Sequence, residues 1–446
     1  MSPFSESARQ ILHMSMGGFA LLLRFLTPWQ AAACAALALG LNAFVLPRVA
    51  AARLFRPGEA GLARPGGIVF YPLSVLLLIL VFPSRLDIVA AAWGILAVGD
   101  GAATLVGRRV GGWRWPWNPD KTLAGSLALA IGGAISGVLL LWWTRPAVAA
   151  HPPMTFVVVA PLLAAAVAAL VETRPIRLDD NLSVPLSAAA VLWLATLVSR
   201  EALGEAAMIA AERLPAALVV NAGVAWAGHR LGTVTWSGTI AGAGIGLAVW
   251  LGAGPAGWIV LFAGFLVAAG ASRVGLRRKA VLGIAEARAG RRGAGNALAN
   301  CLVGAVAAVV SLVAAPDLAR LAMVTALTAG ASDTVASEMG KAWGRRTFLV
   351  TSLAPVPPGT SGAVSLEGTA AGIVAALLMA LVASALGIVA VGAIWIVVVA
   401  ATIGAFVESA LGATLEGPGV VDNDALNFIN TALAATAAVA IARSLS

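Results

Sequence analysis

The sequence predicts an all-α, polytopic membrane protein, a transmembrane helical bundle of about fifteen spans in two related modules. Its 446 residues are 60% hydrophobic and only 11% charged, and the mean hydropathy is +0.94. Soluble globular domains do not have that balance. Glycine occurs 49 times, as is typical of membrane helices that pack closely through small residues.

Apolar runs of about 17–25 residues are long enough to cross a bilayer, and they mark the predicted spans. They fall at 11–26, 30–47, 66–82, 86–106, 122–143, 154–171, 183–199, 204–227, 237–252, 254–272, 295–314, 320–340, 367–385, 387–408 and 425–443. Glu212 and Arg213 interrupt the eighth run. The first run lacks a cleavage-site pattern, which favours a spanning helix over a secretory signal. Cys34 and Cys301 lie in apolar runs and indicate neither a disulfide nor a thiolate metal site.

Lysine and arginine separate sharply between the two sides of the predicted bundle. The side that holds the N-terminus receives Arg9 and the basic residues of 48–64, 108–121, 174–177, 230, 273–292 and 341–346. The other side receives Arg24, Arg85, Arg145, Arg200, Arg320 and Arg443. The positive-inside rule therefore predicts a cytoplasmic N-terminus in an inner or plasma membrane. The net charge of +9 is a signal of topology, and nucleic acid is not an expected partner.

Polar residues of the first half gather at predicted cytoplasmic helix ends. Asp100 ends an apolar run, where an unpaired carboxylate costs a few kcal/mol and usually marks a site. The following helix starts and ends supply Lys121, Gly125, Ser126, Glu172, Asp180 and Asn181. Carboxylates suit Mg²⁺, and a lysine beside a helix N-terminus suits phosphate oxygens. The alternative is that these residues cap helices and decorate the cytoplasmic face.

The second half repeats this order of polar groups. An Asp-small-small helix end, a Gly/Ser/Thr helix start, a Val-Glu helix exit and an Asp-Asn helix entry follow one another in both halves. The second set contains Asp333, Glu338, Thr360, Ser361, Gly368, Glu408, Asp422, Asn423 and Asn427. The repetition predicts two diverged copies of one catalytic module, residues 1–200 and 201–446, each with its own cytoplasmic site.

Two further groups have open interpretations. His13 follows Arg9 by one helical turn, and it either faces a site or is a partnered interior histidine. Trp113, Trp115 and Trp117 are typical of an interfacial aromatic belt. The sequence contains no Walker loop and no protein-kinase HRD or DFG set.

The segment from Arg9 to about Ala190 resembles the phytol kinase and dolichol kinase group of CTP-dependent polyprenol kinases. The matching pieces are "RQILH", "GIVFYPLSVLLL", "GDGAATLVGRRVGGWRWPWNPDKTLAGSLA" and "VETRPIRLDDNLSVPL". Gln10 stands where that group usually has lysine, which puts any basic role of this position in doubt. The sister cytidylyltransferases that make CDP-diacylglycerol share the Gly-Asp helix end. Their Pro-Gly-His-Gly-Gly…Asp-Arg signature is missing from this sequence, which favours a kinase.

The segment from about Ala222 to the C-terminus is similar to the integral-membrane family that includes phytyl-phosphate kinase. The matching pieces are "GTVTWSGTIAGAGIG", "ASDTVASEMG", "VPPGTSGAVSLEGTAAG", "GAFVESALGA" and "NDALNFINT". Together the two resemblances imply a natural fusion of two successive kinases. Such a protein phosphorylates an isoprenoid alcohol of the phytol or geranylgeraniol type to the monophosphate and then to the diphosphate, as in tocopherol or prenyl-lipid salvage.

The kinase interpretation assigns a role to each candidate residue. Asp100, Glu172, Asp180, Asp333, Glu408 and Asp422 are the expected ligands of Mg²⁺, and Lys121 and Glu338 are further catalytic groups. The expected contacts to nucleotide and phosphate are Arg9, His13, Arg108, Gly125, Ser126, Asn181, Thr360, Ser361, Gly368, Asn423 and Asn427. CTP is the expected donor and comes from the cytoplasm, whereas the isoprenoid alcohol and the isoprenyl phosphate come from the membrane. The sequence does not reveal the oligomeric state.

Two other functions remain open from the sequence. One is a lipid cytidylyltransferase that resembles CDP-diacylglycerol synthase. The other is a transporter of an anionic solute, although transporters place their binding groups near the bilayer midplane on broken helices. The polar residues here cluster at one face, which counts against transport.

Overall fold

The computed structural model of this chain forms two units, which are described separately below. It describes residues 6–49, 66–149, 151–175, 178–284, 291–416 and 420–445. The units are Met1–Leu197 and Val198–Ser446. Five of the arginines predicted for the cytoplasmic side lie outside the described residues, and they are Arg53, Arg56, Arg64, Arg177 and Arg288.

Unit 1 is helical apart from one short hairpin. Its α-helices are α1 Glu6–Met16, α2 Pro28–Gly40, α3 Leu46–Val49, α4 Gly66–Val81, α5 Leu86–Gly94, α6 Gly101–Val110, α7 Leu123–Thr144, α8 Met154–Glu172 and α9 Asp180–Ala195. The 3₁₀ turns Gly17–Arg24 and Arg145–Ala147 and the π-helical turns Leu41–Val45 and Ile95–Asp100 extend these helices. The strands β1 Arg114–Trp115 and β2 Asn118–Thr122 pair antiparallel.

Unit 2 has the same mixture of long helices and one small hairpin. Its α-helices are α10 Arg200–Arg230, α11 Trp236–Arg273, α12 Leu276–Val281, α13 Ala294–Val310, α14 Pro316–Trp343, α15 Leu366–Ala385, α16 Ile394–Leu411 and α17 Asn423–Leu445. A 3₁₀ turn, Val391–Ala393, precedes α16, and a π-helical turn, Gly412–Glu416, follows it. The strands β3 Thr347–Leu349 and β4 Ala363–Ser365 pair antiparallel.

The helices confirm an integral membrane protein of the all-α class. Within the described ranges, nine helical segments are long and apolar enough to span a bilayer. They are Pro28–Arg48, Leu86–Val110, Leu123–Ala147, Met154–Glu172, Arg200–Arg230, Trp236–Arg273, Leu366–Ala385, Val391–Glu416 and Asn423–Leu445. Three shorter apolar helices, Gly67–Val81, Asp180–Ala195 and Ala294–Val310, add to these. The predicted number of about fifteen spans is therefore approximate.

The structure differs from the predicted boundaries at the first span and agrees with them at two other places. The first predicted span is a short α-helix followed by a 3₁₀ turn, so it lacks one continuous apolar helix. The eighth is one continuous helix, α10, despite its internal Glu212 and Arg213. The ninth and tenth are two helices, here together called α11, that meet at Gly254, where φ is 72° and ψ is −170°. Such a backbone conformation is open to glycine at little steric cost.

The most buried helix of each unit carries an aspartate. In α5, residues Ile88, Val89, Ala90, Ala91 and Ala92 are fully buried, and the helix continues through the π-helical turn that ends at Asp100. In α14, the residues from Met323 to Ser332 are buried, and the next residue is Asp333. Each aspartate therefore follows a stretch of buried residues in its helix. Asp87 of α5 is itself fully buried and pairs with Arg85.

Candidate active sites

Asp100 lies at the end of a π-helical turn, a feature that is frequent at functional sites. Its Oδ2 is 3.6 Å from Nε2 of His13, and both side chains are mostly buried. The His13 ring packs edge-on against Tyr71, with 4.7 Å between the ring centroids. Trp93 donates a hydrogen bond of 2.8 Å to the Tyr71 hydroxyl and so fixes that ring. His13 thus lies between Asp100 and Tyr71, and its role at a site stays a prediction.

The hairpin β1–β2 places Lys121 beside the ends of two helices. Trp115 and Trp117 stack with 4.9 Å between their ring centroids. Trp117 donates to the hydroxyl of Thr173 at 3.3 Å, and its ring lies under the Arg174 guanidinium. Because Thr173 directly follows α8, these contacts hold the hairpin against the helix that ends at Glu172. The tryptophans therefore have packing partners within the unit, and their place in an aromatic belt stays a prediction.

Three carboxylates and one ammonium group meet in unit 1. One carboxylate oxygen each from Asp100, Glu172 and Asp180 lies within 4.8 Å of the others. Lys121 Nζ donates to Asp180 Oδ2 at 2.7 Å and also contacts Glu172 Oε1. Burial by itself lowers the pKa of Lys121, but the charges of Asp180 and Glu172 outweigh burial and leave that pKa raised. Lys121 is therefore a fixed cation between the two carboxylates.

The charge of this cluster suits a divalent cation. With all three carboxylates ionised, Lys121 compensates one negative charge and leaves two. Mg²⁺ is commonly bound through one or two carboxylates together with substrate phosphates. The donor set therefore fits Mg²⁺ through Asp100, Glu172 and Asp180, with phosphate oxygens as the remaining ligands. No comparable group of three acidic, histidine or cysteine side chains occurs elsewhere in the described part of the chain.

The other residues predicted for the first site have varied surroundings. Gly125 donates its N–H to the Thr122 hydroxyl at 3.1 Å, as the cap of α7. The Ser126 hydroxyl donates to the Thr122 carbonyl at 3.2 Å and accepts from Trp115 Nε1 at 3.0 Å. Asn181 donates from its backbone and its side chain to Asp179, which caps α9. Arg9 lies within electrostatic reach of His13, and Arg108 is exposed near the end of α6. Direct phosphate contacts by this group stay a prediction.

Unit 2 contains a polar cavity of about 300 Å³ beside Asp333, the counterpart of Asp100 in unit 1. Of the predicted residues, it is lined by Asp333, Thr360, Ser361, Gly368, Glu408 and Asn423. Lys341 also lines it, and the carboxylates of Asp333 and Glu408 lie within electrostatic reach of each other. Glu408 Oε2 is buried and has no hydrogen-bond partner within the described ranges. The cavity therefore combines three acidic groups, Asp333, Glu408 and Glu416, with one lysine and a loop rich in glycine and hydroxyl groups.

Three residues predicted for the second site do not line this cavity. Glu338 is 2% exposed and pairs with Lys279, which is fully buried, and with Lys341 at 3.0 Å. Asp422 accepts a hydrogen bond of 2.9 Å from the N–H of Ala425 in the first turn of α17. Asn427 donates to the Asn423 carbonyl one turn earlier. Glu338 thus positions Lys341. Asp422 caps the start of α17, as Asp179 caps the start of α9 in unit 1.

Sequence reasoning missed the role of Lys279. This lysine belongs to the basic loop after α11, where the pattern of charges indicates only topology. Lys279 could be recognised only from its burial in the fold. A count of charges in the sequence carries no information on burial. A buried lysine needs an acidic partner, because a buried unpaired charge is costly.

The local packing of the two sites follows one pattern. A glycine seven residues after each aspartate, Gly107 or Gly340, faces the capping hydroxyl of the next long helix, which belongs to Thr122 or Ser365. That hydroxyl accepts from the glycine N–H three residues later, at 3.1 Å in both units. A Cβ atom at Gly125 would lie only 3.0 Å from the Ala103 carbonyl oxygen. Close approach between the two helices therefore requires glycine at this position.

Comparison with known proteins connects the chain to membrane proteins of cyanobacteria and plants. The family model of integral membrane protein DUF92 matches residues 219–435. The membrane protein sll0875 of Synechocystis sp. is 39% identical over 202 residues, which are 44% of this chain and 78% of that protein. No solved structure matches the chain.

Two plant proteins are similar over shorter stretches. Protein VTE6 of Arabidopsis thaliana is 39% identical over 156 residues, which are 34% of this chain. Phytol kinase 1 of the same plant is 32% identical over 130 residues, which are 29% of this chain. The matches span 47% and 43% of the length of these two relatives. Since 78% of the Synechocystis protein is covered and the family model matches residues 219–435, the chain belongs to the integral membrane protein DUF92 family.

Proposed function

We propose that this chain is a membrane isoprenoid kinase with one active site in each unit. Unit 1 transfers a phosphoryl group from CTP to an isoprenoid alcohol, and unit 2 transfers a second group to the resulting monophosphate. The similarity to a plant phytol kinase supports the class of reaction. The resemblance of the first half to CTP-dependent polyprenol kinases supports the donor.

The observation that carries the proposal is the cluster of Asp100, Glu172, Asp180 and Lys121. Phosphoryl transfer requires mostly positioning and charge neutralisation, so a site needs cations around the phosphates more than covalent chemistry. Lys121 supplies one fixed cation, and the three carboxylates would hold Mg²⁺. When bound, Mg²⁺ neutralises charge on the transferred group. His13, beside Asp100, is positioned to hold the acceptor hydroxyl at the cluster.

The cavity of unit 2 supports the second transfer. The exposed hydroxyls of Thr360 and Ser361 lie at its loop, and Lys341 supplies a cation. Asp333, Glu408 and Glu416 line the same cavity, and Asp333 and Glu408 would hold Mg²⁺. Both sites belong to chain segments that the distribution of charges predicts for the cytoplasmic side, where nucleotide is available.

A product assay tests the proposal directly. Purified protein in detergent is given geranylgeraniol, CTP and Mg²⁺, and the lipid products are separated by chromatography and identified by mass. We expect geranylgeranyl monophosphate that is converted with time to the diphosphate. A CDP-lipid would instead indicate a cytidylyltransferase, and the absence of any product would contradict the kinase assignment.

A further inference from the structure

Unit 2 contains a second cavity, which is apolar and has a volume of about 430 Å³. This volume is within the range of roughly 300–1,000 Å³ that is usual for small-molecule sites. Its walls come from α10, α11, α13 and α14. Gly330 and Ala331 of α14 line this cavity, whereas the next residues, Ser332 and Asp333, line the candidate active site. The two cavities therefore share one helix as a wall.

An aromatic wall forms one side of the apolar cavity. Trp258 and Phe262 stack with 5.2 Å between their ring centroids, and Phe265 continues the row. The indole N–H of Trp258 donates to Asn221 Oδ1 at 3.1 Å, so the polar atom of this ring is satisfied. The remaining ring surfaces are apolar and suit hydrocarbon.

Gly242 of α11 also lines the cavity and is exposed. A Cβ atom at this position would meet no atom within 4 Å, so a larger side chain can be accommodated there beside the cavity. Gly244 also has open space around it, but it does not line the cavity. Gly242 and Gly244, both on α11, can therefore serve as a test position and its control.

Two arginines, Arg273 and Arg292, lie among the lining residues of this apolar cavity. Arg292 donates to Asn296 Oδ1 at 2.8 Å and to Ser272 Oγ at 3.3 Å, while its Nε is buried without a partner. No carboxylate of the described residues forms an ion pair with either arginine. The partly buried guanidinium of Arg292 has no acidic partner and suits an anionic ligand, because its charge is otherwise uncompensated, and the exposed Arg273 adds a second positive charge.

Hydrogen bonds connect the arginine end of the cavity with the candidate active site. Arg292 contacts the Ser272 hydroxyl, and the Ser272 carbonyl accepts a bond of 2.9 Å from Lys279. Lys279 pairs with Glu338, which also pairs with Lys341 at the wall of the active site. The arginine end and the active site therefore lie at the same end of α14.

We propose that the apolar cavity binds the hydrocarbon chain of a phosphate monoester and that Arg273 and Arg292 hold its phosphate. The ligand is a single long apolar chain with a phosphate head, since the cavity supplies one apolar space and one basic end. The identification of this ligand with the acceptor monophosphate rests on the proposed function of unit 2. The binding site itself depends only on the cavity and its two arginines.

Equilibrium binding tests the proposal without any turnover. Tritiated geranylgeranyl monophosphate is titrated onto the purified full-length protein in the absence of nucleotide. Gly242→Leu should weaken binding by roughly tenfold or more because the leucine occupies the cavity, while Gly244→Leu should bind as the parent protein does. Equal affinities of the two leucine variants would overturn the proposal.

The phosphate end has its own pair of variants. Arg292→Gln should weaken binding of the monophosphate by about tenfold or more through loss of charged hydrogen bonds and should leave binding of geranylgeraniol unchanged. Arg291→Gln is the control, because Arg291 is exposed and does not line the cavity. Competition with phosphatidic acid and with inorganic phosphate shows whether the site takes the phosphate of a lipid or free phosphate. Displacement by inorganic phosphate alone would overturn the role of the hydrocarbon chain.

Photo-crosslinking of the parent protein avoids any question of misfolded variants. A diazirine on the chain of geranylgeranyl monophosphate should label the peptide that contains Trp258, Phe262 and Phe265. Labels confined to other peptides would overturn the proposal even if the second phosphorylation occurs. Labels at these residues in a protein that forms no diphosphate would instead contradict the proposed function and support the binding site.

Discussion

The ammonium group of Lys121 lies 2.7 Å from the carboxylate of Asp180, although 59 residues separate them in the chain. The hairpin β1–β2 brings the lysine to this position, and the start of α9 brings the aspartate. Glu172, at the end of α8, is the second partner of the same lysine. Three chain segments therefore converge on one cation, and this convergence is the basis of the first site.

Replacement of Lys121 by methionine should destabilise unit 1 and increase the thermal stabilisation of this unit by Mg²⁺. Loss of one partner from a largely buried charge pair costs about 3–5 kcal/mol in the free energy of unfolding, because the other charge stays buried. Thermal unfolding in detergent, with and without Mg²⁺, measures both effects. The Mg²⁺-dependent rise in Tm should be larger in Lys121→Met than in the parent, since the competing cation is gone. Arg109→Gln, at an exposed position, is the control, and an equal rise in both variants would contradict cation binding at this cluster.

Replacement of Asp100 by asparagine should block the first phosphorylation and spare the second. The change keeps the size of the side chain and removes one charged ligand, so we expect a loss of rate of about 100-fold or more. The assay follows geranylgeraniol and supplied geranylgeranyl monophosphate in parallel. If Asp100→Asn still formed monophosphate at the parental rate, the assignment of the first site would be wrong.

The variants Asp333→Asn and Glu408→Gln should make the monophosphate accumulate. Each removes one of the three carboxylates that line the cavity of unit 2, the third being Glu416, with an expected loss of about 100-fold in the second step. The first step provides the internal control, because its residues belong to the other unit. Diphosphate formation at the parental rate in both variants would remove these residues from the second site.

A double-mutant cycle on Lys279 and Glu338 separates a positioning role from a catalytic one. Either single change, Lys279→Met or Glu338→Gln, should lower the stability by about 3–5 kcal/mol. The double variant should recover much of that loss, since no uncompensated charge stays buried. The contact of Glu338 with Lys341 is lost in this variant, so its second phosphorylation should stay as slow as in Glu338→Gln. If Glu338 acts only by positioning Lys341, Lys341→Met should slow this step equally and add no loss to Glu338→Gln, whereas additive losses would support a catalytic Glu338.

Arg213 should stabilise the break in α11. Its guanidinium donates to the carbonyls of Leu251 at 2.7 Å and of Gly252 at 3.0 Å, just before Gly254. Arg213→Met removes the side-chain donor of both carbonyls and leaves Gly252 only the 3.5 Å hydrogen bond from the Ser311 hydroxyl, so it should lower the stability by about 1–3 kcal/mol. Arg200→Met, at an exposed position of the same helix, removes the same charge and should have little effect. Equal Tm values for the two variants would contradict the capping role.

The sequence was a good guide to the helices because their determinants are local. Apolar runs of membrane length give the spans, and glycine followed by proline at 254–255 marks the break in α11. The first run was misleading, since it is apolar enough to span but ends its α-helix at Met16. Hydropathy measures the preference for lipid and contains no information on where a helix tightens into a 3₁₀ turn.

The candidate site was less predictable, as Glu338 and Asp422 show. Both carboxylates have the spacing expected of site residues, but one is buried with two lysines and the other caps a helix. The orientation of a side chain depends on the helix rotation and on the neighbours that pack against it. Neither can be read from the interval between residues.

By itself the sequence determined the class of the protein, the position of most helices and the identity of Asp100 and Asp333 as acidic exceptions that follow apolar runs, although both helices continue beyond these residues. These properties follow from residue composition and from local patterns, which act over one or two helical turns. Only the tertiary structure decided that Lys121 binds Glu172 and Asp180, that Lys279 is buried, and that an apolar cavity with two arginines lies beside the second site. Such contacts join residues far apart in the chain, so they arise from the packing of helices and have no local signature.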